Sequence, residues 1–415
     1  MSDNAASYEA FFALHHGLPR QGPGSDATTR HLLSLTGPLP ERPRVLDLGC
    51  GPGRAALLLA AEAGAEVTAV DLHRPFLAEL DAAAAARGLA GSITTVHADM
   101  AELPFPDGSF DLVWAESSAY SIGFDTALRS WRRLLAPGGT LVVTECEWTT
   151  AEPSRQARAF WDRHYALRTT EANRRAAIAA GYALLGVHHQ PESDWDAYYG
   201  PLGERAAAAD PAAPGMAAAL AATREEISMR NEHGSEYGYT GYVLKPSEWR
   251  VRPETEADAE AVHAVNAAAF PTEDEADLVD ALRRDQEAWI PGLSYVAEAP
   301  DGSIAAYALI TRCRVGDAPA LCLAPVATAP EHQKQGAGTA VVSALLEAAR
   351  ARGEERLVVV LGHPEYYPRF GFTRASGFGV GVAFEVPDEA LMALVLDDSG
   401  AVPQGTITYP AAFGV

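Results

Sequence analysis

The sequence contains few basic residues for its length. Its 415 residues include 32 Lys and Arg against 55 Asp and Glu, which gives a formal net charge of −23. Only Lys245 and Lys334 are lysines. Nucleic acids and anionic membrane surfaces are bound through positive patches, so this balance argues against both as partners.

Cysteines and long hydrophobic runs are also scarce. The four cysteines are scattered and form no CxxC pair, which predicts neither a disulfide framework nor a zinc site and fits a reducing cytoplasm. No histidine pair has the spacing of metal ligands, so we expect no metal. No run of about 18 apolar residues occurs. The first residues lack a basic segment followed by an apolar core, so we expect neither a membrane span nor a signal peptide.

The chain does contain enough apolar sequence for two cores. Its length and its hydrophobic fraction of 48% predict two domains. Between residues 45 and 145, short apolar runs alternate with amphipathic segments, the pattern of a doubly wound parallel sheet. The pattern restarts after Pro246, with a hairpin expected around the turn at residues 301–302. We therefore expect an α/β protein with domains at residues 1–246 and 249–415.

Several helices are expected from local pattern alone. Segments at 127–139, with a Pro-Gly-Gly stop, and at 157–169, 172–186 and 204–230 are rich in helix-forming residues. In the second half of the chain, EADAEAVHAVNAAAF is expected to be a helix. The acidic residues Glu273, Asp274 and Glu275, which follow it, are expected in a loop.

The stretch VLDLGCGPGRAALLLA, residues 45–60, places glycines between an apolar strand and a helix. Backbone N–H groups at such a helix start attract electron-rich ligands. Asp71 closes the next strand, 20 residues after Gly51, where a carboxylate accepts hydrogen bonds from a ribose diol. A dinucleotide fingerprint, GxGxxG, needs glycine at Arg54, whereas Gly53 makes the pattern GxGxG. The turn therefore predicts a nucleoside-containing cofactor with no pyrophosphate.

Four ordered motifs, DLGCGPG, VDL, HADM and LAPGGTLVVTE, resemble those of class I S-adenosylmethionine-dependent methyltransferases. The segments RQGPGS and WAESSAYSIGF extend the resemblance to a small-molecule branch over residues 8–246, in which RQGPGS covers the cofactor. The resemblance implies a Rossmann-like seven-stranded sheet and S-adenosyl-L-methionine as cofactor, with Asp71 on the ribose and Leu72 on the adenine. The cofactor-binding residues that it implies are Asp47, Gly49, Gly51, Gly53, Asp71, Leu72, Asp99 and Met100.

Methyl transfer needs orientation of the acceptor and, where the nucleophile is protonated, a base. Glu116 ends the fourth predicted strand, at the sheet edge where ligands bind, and is our candidate catalytic base. The alternative is a solvated loop carboxylate. Weaker candidates, each with a packing or surface alternative, are Tyr120, Glu145, Trp148, His15 and His16.

A second glycine-rich turn, QKQGAG, follows the strand LCLAPVATA and opens another helix. With VRPETEADAEAVHAVNAAAF before it and HPEYYPRFGF after it, it resembles the acyl-CoA loop of GNAT acetyltransferases over residues 249–415. The resemblance implies a mixed α/β GNAT fold, acetyl-CoA as cofactor and N-acetylation of a small amine. The cofactor-binding residues that it implies are Val326, Ala327, Gln333, Lys334, Gly336, Ala337, Gly338 and Thr339.

In this resemblance Tyr367 aligns with the tyrosine that protonates the leaving CoA thiolate, as a phenol near the sulfur can. Its alternative is a packing role in which both tyrosines of the motif wedge the last helix into the core. The base for the amine stays open, with Glu273, Asp274 and Glu275 as candidates. His363 stands where the subgroup often has an acidic residue, so no role is assigned to it.

Together the two halves predict a bifunctional transferase. The alternative is an active methyltransferase joined to a non-catalytic, acyl-CoA-sensing GNAT domain. A macromolecule methyltransferase with a docking module is disfavoured by the net charge. A homodimer stays open as the assembly.

Overall fold

The structure, a computed structural model, describes residues 2–397 and 400–414. The chain divides into two compact units, one of residues 1–177 and 182–246 and the other of residues 178–181 and 247–415. Met1, Asp398, Ser399 and Val415, which fall inside the two predicted domains, lie outside the described residues.

The first unit is built on a twisted sheet in the order β3-β2-β1-β4-β5-β7-β6. The first five strands in this order are parallel, and β7 runs antiparallel to both β5 and β6. The predicted seven-stranded, Rossmann-like sheet is thus confirmed for the described residues. Its strands are β1 (Arg44–Leu48), β2 (Glu66–Asp71), β3 (Ile93–His97), β4 (Phe110–Ala115), β5 (Leu135–Trp148), β6 (Tyr182–His189) and β7 (Tyr237–Pro246).

Helices accompany these strands because their apolar faces must be buried against the sheet. One core lies beneath β1 and β2, where Leu59, Leu80 and Trp114 are fully enclosed. Within the described residues, no helix is long and apolar enough to cross a membrane. The helices of this unit are α1 (Ser2–His15), α2 (Asp26–Ser34), α3 (Arg54–Glu62), α4 (Arg74–Ala86), α5 (Phe124–Trp131), α6 (Arg155–Trp161), α7 (Thr170–Ala179), α8 (Glu192–Ala208) and α9 (Met216–His233).

The helical segments expected from local pattern were partly wrong. The helix at 127–139 gives way to a 3₁₀ turn at residue 132 and to β5 at Leu135, whose strand pairing with Phe110 outweighs its helix propensity. The segment 172–186 is helical only to Ala179, because Gly181 at φ +84° ends the helix before β6.

Two further predicted helices are longer than the helices observed. The segment 204–230 is divided between α8 and α9, since Pro211, Pro214 and the left-handed Gly215 (φ +74°) interrupt it. The segment 157–169 is an α-helix only to Trp161.

The second unit has a mixed sheet whose main path is β8-β9-β10-β11-β12-β15-β13. The predicted hairpin joins β9 and β10, and α12 covers one face of the sheet. The predicted mixed α/β fold is therefore confirmed. Its strands are β8 (Arg250–Pro253), β9 (Trp289–Glu298), β10 (Ile304–Val315), β11 (Ala318–Thr328), β12 (Leu357–Leu361), β13 (Thr373–Arg374), β14 (Val380–Gly381), β15 (Leu391–Val395) and β16 (Gly405–Thr408).

The helices of this unit are α10 (Ala259–Ala269), α11 (Asp274–Arg284) and α12 (Ala337–Arg352). The prediction of a loop at residues 273–275 was wrong. Asp274 and Glu275 form the first turn of α11, where the helix dipole stabilises carboxylates.

The parallel strands β11 and β12 separate after a short contact. Their pairing is limited to Leu321 with Val358 and Cys322 with Val359. Beyond Leu323, β11 continues to pair with β10 on its other side. The edge of β11 that faces away from β10 is therefore open toward its carboxyl end.

We expect substitution of Gly53 to destabilise the first unit strongly. Its φ is +81°, and an added Cβ would lie 2.7 Å from Leu80 Cδ2, so Gly53→Ala adds steric overlap to backbone strain. Gly88 is the control, because its φ is +71° but no atom lies within 4 Å of an added Cβ. Urea unfolding is expected to show a loss of at least about 3 kcal/mol for Gly53→Ala and about 1 kcal/mol for Gly88→Ala. Equal losses would contradict the packing argument.

Candidate functional site

The turn after β1 carries three left-handed glycines, Gly49, Gly51 and Gly53, and brings the backbone close to β2. Gly49 (φ +67°) and Cys50 both donate their N–H groups to the Val70 carbonyl, at 2.9 and 3.0 Å. Gly51 N donates to Asp71 Oδ2 at 2.8 Å, and His73 N donates to Asp71 Oδ1 at 2.7 Å. The carboxylate of Asp71 is thereby fixed in orientation at the end of β2, beside the glycine turn.

Asp47, near the end of β1, carries an unsatisfied carboxylate oxygen. Its side chain is buried, and Oδ2 has no hydrogen-bond partner among the described residues. Burial, reinforced by the nearby carboxyls of Glu116 and Asp71, raises the pKa of Asp47 to about 8. A buried acceptor without a donor is costly unless a ligand supplies one.

Asp47 borders a cleft that is open to solvent. The cleft is bounded on one side by the turn after β1 and on the other by residues 19–23, which we call the strap. An added Cβ at Gly51 would lie 3.2 Å from Gln21 Cγ, and one at Gly22 would lie 2.8 Å from Ser117 Cβ, so the strap lies tightly over the cleft. The lining residues are Pro19, Arg20, Gln21, Gly22, Pro23, Asp47, Gly49, Cys50, Gly51, Pro52, Arg54, Ala55, Glu116 and Ser117.

Glu116 holds the strap in place. Its Oε2 accepts from Arg20 at 2.5 Å, and its Oε1 accepts from Thr29 at 2.7 Å and from Trp114 Nε1 at 3.0 Å. The Arg20 guanidinium also donates to Asp26, which receives two further hydrogen bonds from Arg54. Both oxygens of Glu116 are thus engaged by donors of the chain, an arrangement that suits positioning better than proton abstraction.

Of the eight predicted cofactor residues, Asp47, Gly49 and Gly51 line the cleft, and the other five do not. Leu72 is 60% exposed beside Asp71, and Asp99 is exposed with its Oδ1 accepting from Ala101 N. Met100 Cε would lie 3.0 Å from a Cβ at Gly49. Gly53 is not among the residues that line the cleft and packs instead against Leu80.

Tyr120 and Tyr165 stack at 5.3 Å between ring centroids with a 13° interplanar angle. The side chain of Glu145 is buried and forms no hydrogen bond or ion pair with any described residue, and burial raises its pKa to about 8. Trp148 is buried in the apolar cluster that also contains Cys146.

The two histidines of α1 and its C-terminal end have protein partners. His15 is buried and pairs with the Phe11 carbonyl and the Tyr198 hydroxyl. His16 pairs with Glu79 through Nδ1, and its Nε2 lies 3.2 Å from that of His73.

Three residues of this unit were missed by sequence reasoning. Arg20 was noted only as part of the RQGPGS segment, although a basic residue beside a conformationally restricted turn was an available signal. Tyr165 and His73 come near Tyr120 and His16, respectively, only through the tertiary fold.

In the second unit, the helix α12 begins at Ala337 after Gly336 (φ +98°). The N–H groups of the first helical turn have no intrahelical acceptor and face outward from the helix start. The loop is fixed by Trp249 Nε1, which donates to the Gln335 carbonyl at 3.0 Å, and by Gln333 Nε2, which donates to the Thr328 carbonyl at 3.3 Å.

Small residues are required at this helix start. An added Cβ at Gly338 would lie 2.8 Å from Thr328 Oγ1 and 3.0 Å from the Tyr366 hydroxyl. Lys334 is exposed in the left-handed region, at φ +60°. Thr339 follows in the first turn of α12. The predicted residues 333–339 therefore form one continuous loop and helix start.

Val326 and Ala327 lie where β11 has left β12. They pair with Ala308 and Tyr307 of β10, and among the described residues no strand pairs with their other edge. The structure thus brings the open edge of β11 and the α12 helix start together at the carboxyl end of this strand.

Tyr367 is buried, with its ring against Gly362 and its centroid 5.1 Å from that of Tyr366. Burial raises the pKa of the Tyr367 phenol, which therefore stays protonated at neutral pH. The packing alternative for the tyrosine pair is consistent with these contacts, and the catalytic role stays a prediction.

The remaining acidic candidates differ in exposure. Glu273 and Asp274 are exposed, whereas Glu275 is partly buried and its Oε2 has no hydrogen-bond partner among the described residues. His363 is exposed, and its carbonyl accepts from Tyr366 N at 3.0 Å. No group of three or more His, Cys, Asp or Glu in residues 2–397 and 400–414 is arranged to hold a metal ion.

Both units match known families. The family model described as a methyltransferase domain matches residues 45–139. The family model described as the acetyltransferase (GNAT) family matches residues 259–372.

Individual proteins are similar to each half. A demethylmenaquinone methyltransferase of Thermus thermophilus is 44% identical over 104 residues, which are 25% of this chain and 46% of that protein. An uncharacterised N-acetyltransferase of Escherichia coli, YjhQ, is 36% identical over 138 residues, which are 32% of this chain and 75% of that protein. The chain spans about half the length of the first curated methyltransferases that it matches.

A solved structure is similar in fold. The methyltransferase from Geobacter sulfurreducens, crystallised with S-adenosyl-L-homocysteine, is 19% identical and has a TM-score of 0.52, covering 59% of this chain and 100% of that one.

We expect Asp47→Asn to change how stability depends on pH. The folded protein holds the Asp47 proton up to about pH 8, whereas the unfolded chain releases it near pH 4. Folding therefore loses free energy as pH rises between about 4 and about 8, and asparagine removes this loss. The free energy of unfolding of Asp47→Asn is expected to rise relative to wild type by a few kcal/mol across that window.

Urea unfolding at several pH values between these limits measures the difference directly. Asp107→Asn is the control, because the Asp107 side chain is 77% exposed. A constant difference between Asp47→Asn and wild type at every pH would contradict the assignment.

Proposed function

The chain belongs to the GNAT acetyltransferase family and carries a methyltransferase domain ahead of its GNAT domain, and on that premise we propose that it is a bifunctional transferase. Its first unit methylates a small-molecule acceptor, and its second unit acetylates a small amine. We place the domains at residues 1–246 and 249–415. The four free thiols support the cytoplasm as the proposed location.

The observation that carries the methyl-transfer proposal is the unpartnered Asp47 oxygen in the cleft under the strap. S-adenosyl-L-methionine has an ammonium group and ribose hydroxyls. These donors suit the unpartnered oxygen of Asp47 and the carboxylate of Asp71, whose oxygens each accept one N–H group and can accept another hydrogen bond. When bound, it supplies an electrophilic methyl group on sulfur. The left-handed Gly49 and Gly51 support this assignment, because side chains there would be strained and would close the cleft.

The remaining cofactor residues are assigned by their position. Leu72 offers an exposed apolar surface to the adenine. Met100 lies beside Gly49, and Asp99 precedes it in the chain. Gly53 is proposed to act through packing, since it contacts Leu80 and not the cleft. Glu116 is proposed as a positioning residue that holds Arg20 over the cofactor, in place of the base expected from sequence.

For the second unit, the helix start of α12 suits the pyrophosphate of acetyl-CoA. The amides of Gly336, Ala337, Gly338 and Thr339 supply donors at a positive helix end, with Gln333 and Lys334 beside them. The open edge of β11 at Val326 and Ala327 supplies backbone groups for the pantetheine chain. When bound, acetyl-CoA supplies an activated acyl group.

Tyr367 is proposed to protonate the leaving thiolate, because its raised pKa keeps it a proton donor at neutral pH. Glu275 is the acidic candidate for the amine proton, supported by its buried, unpartnered Oε2. The second candidate function is acyl-CoA sensing without transfer. It is favoured by the burial of Tyr367 among aromatic rings.

We expect Arg20→Met to speed the dissociation of S-adenosylhomocysteine, the product formed from the cofactor. The substitution removes the ion pair with Glu116 that holds the strap, so S-adenosylhomocysteine is expected to dissociate at least about tenfold faster. Stopped-flow displacement measures the rate. Arg30→Met is the control, because Arg30 of α2 forms an exposed ion pair with Glu62 of α3. Equal dissociation rates for both variants and wild type would contradict the role of the strap.

We expect Tyr367→Phe to separate catalysis from sensing. If Tyr367 is the acid, release of CoA thiol is expected to fall about 100-fold or more while acetyl-CoA binding is retained. Thiol release is followed with a panel of amines, and binding is followed by calorimetry. Tyr366→Phe is the matched control. Absence of thiol release from the wild-type protein with every amine would support the sensor instead.

A further inference from the structure

The chain is anchored just before the strap, where α1 ends. Glu79 of α4 accepts through both of its oxygens, Oε1 from His16 Nδ1 at 2.6 Å and Oε2 from Gly17 N at 3.2 Å. Arg205 of α8 donates to the His16 carbonyl. Because an ionised carboxylate only accepts hydrogen bonds, His16 Nδ1 carries a proton in this arrangement. His16 therefore ties the start of the strap to two helices.

A second histidine meets His16 at the same place. His73 is the N-cap residue of α4, and its Nε2 lies 3.2 Å from His16 Nε2. The His73 ring stacks on Phe12 of α1, with 3.8 Å between centroids and 10° between planes. Its backbone N–H donates to Asp71 Oδ1 at 2.7 Å. These two rings, which we call the histidine pair, thus connect the strap with the carboxylate proposed to hold the ribose.

The number of protons on the histidine pair decides whether this contact attracts or repels. Two facing imidazole nitrogens form a hydrogen bond when one carries a proton and the other a lone pair. With both rings neutral, His73 donates and His16 accepts. With one added proton, a donor still faces an acceptor. A second added proton makes both rings cations, so that two N–H groups and two positive charges face each other across 3.2 Å.

The charges around the histidine pair permit the first added proton and oppose the second. Opposite charges favour a protonated imidazole, and like charges disfavour it. Burial and the neighbouring His16 lower the pKa of His73, while the two nearby carboxylates act in the other direction. The titratable and charged groups that face the pair are Asp71 of β2, Glu79 of α4, His15 of α1 and Arg205 of α8.

The strap also has space behind it. A second cavity lies on the side of the strap that faces α8, where it is lined by Pro19 and Arg20 of the strap and by Ala197 and Pro201 of α8. Pro19 and Arg20 line the cofactor cleft as well. The strap therefore separates two cavities, and it can move away from the cleft without displacing a packed core once its anchors are released.

We propose that the histidine pair is a pH-operated latch on the strap, which keeps the cofactor enclosed near neutral pH and releases it in acid. Double protonation separates the two rings, frees the end of α1 from α4 and loosens the strap over the cleft. The closed state binds fewer protons than the open state, so a rise in pH closes the latch again. The inference rests on the proposed binding of S-adenosylmethionine and adds a regulation of that site.

The test measures the dissociation rate of S-adenosylhomocysteine from the full-length protein by stopped-flow displacement, at about pH 7.5 and about pH 5.5, on either side of the ordinary histidine pKa. The wild-type rate is expected to be at least about fivefold higher at the lower pH. His73→Gln is expected to change by less than about twofold, because an amide offers His16 both a donor and an acceptor and does not titrate.

His188→Gln is the matched control and is expected to keep the wild-type acceleration. The His188 ring also lies against a histidine, His31 of α2, at 4.3 Å between centroids. Burial and neighbouring carboxyls raise the pKa of Asp47 to about 8 in the free protein, and its titration affects all three proteins alike. The difference between wild type and His73→Gln therefore reports the latch alone.

Hydrogen exchange of the free protein gives a readout that needs no cofactor. Backbone protection of residues 17–23, corrected for the intrinsic effect of pH, is expected to fall at the lower pH in wild type and not in His73→Gln. A wild-type dissociation rate that does not change with pH, or an equal response in wild type and His73→Gln, overturns the inference. Absence of S-adenosylhomocysteine binding overturns the proposed function, whereas exchange still tests the latch, so the two failures are distinguishable.

Discussion

The left-handed backbone of the turn after β1 is the constraint on which the first unit depends. It directs the N–H groups of Gly49 and Cys50 to the Val70 carbonyl and that of Gly51 to Asp71, and it starts α3 close enough to α4 for Gly53 to touch Leu80. Sheet, helix packing and cleft are thereby fixed by one short segment. The second unit uses a similar solution at Gly336, where a left-handed residue begins α12 beside the open edge of β11.

Features determined by local sequence could be predicted, and those determined by distant contacts could not. The glycine turns, the strand that ends at Asp71 and the hairpin at residues 301–302 depend on nearby residues, and they follow the pattern of the chain. The strand that begins at Leu135 was mistaken for helix because its pairing partner, Phe110, lies far away in sequence. His73 gave no local signal, since only the fold brings its ring against that of His16.

The first unit contains several carboxyl groups that form no ion pair with a basic side chain. Asp47 and Glu145 are buried, Glu226 accepts a hydrogen bond from Tyr199, and burial raises the pKa of each. Each costs stability in the free protein, and such costs are common where ligands bind. The excess of acidic residues in the sequence is thus present in the interior as well as on the surface, where it disfavours polyanionic partners.

The ion pair between Arg20 and Glu116 joins residues that are 96 positions apart in the chain. Contacts of such high sequence separation form late in folding, because the loop between the partners must first be closed. During synthesis the strap has no anchor until β4 has emerged and joined the sheet. The segment that encloses the cleft is therefore made early in synthesis, whereas the ion pair that holds it can form only after Glu116, which directly follows β4, has been made.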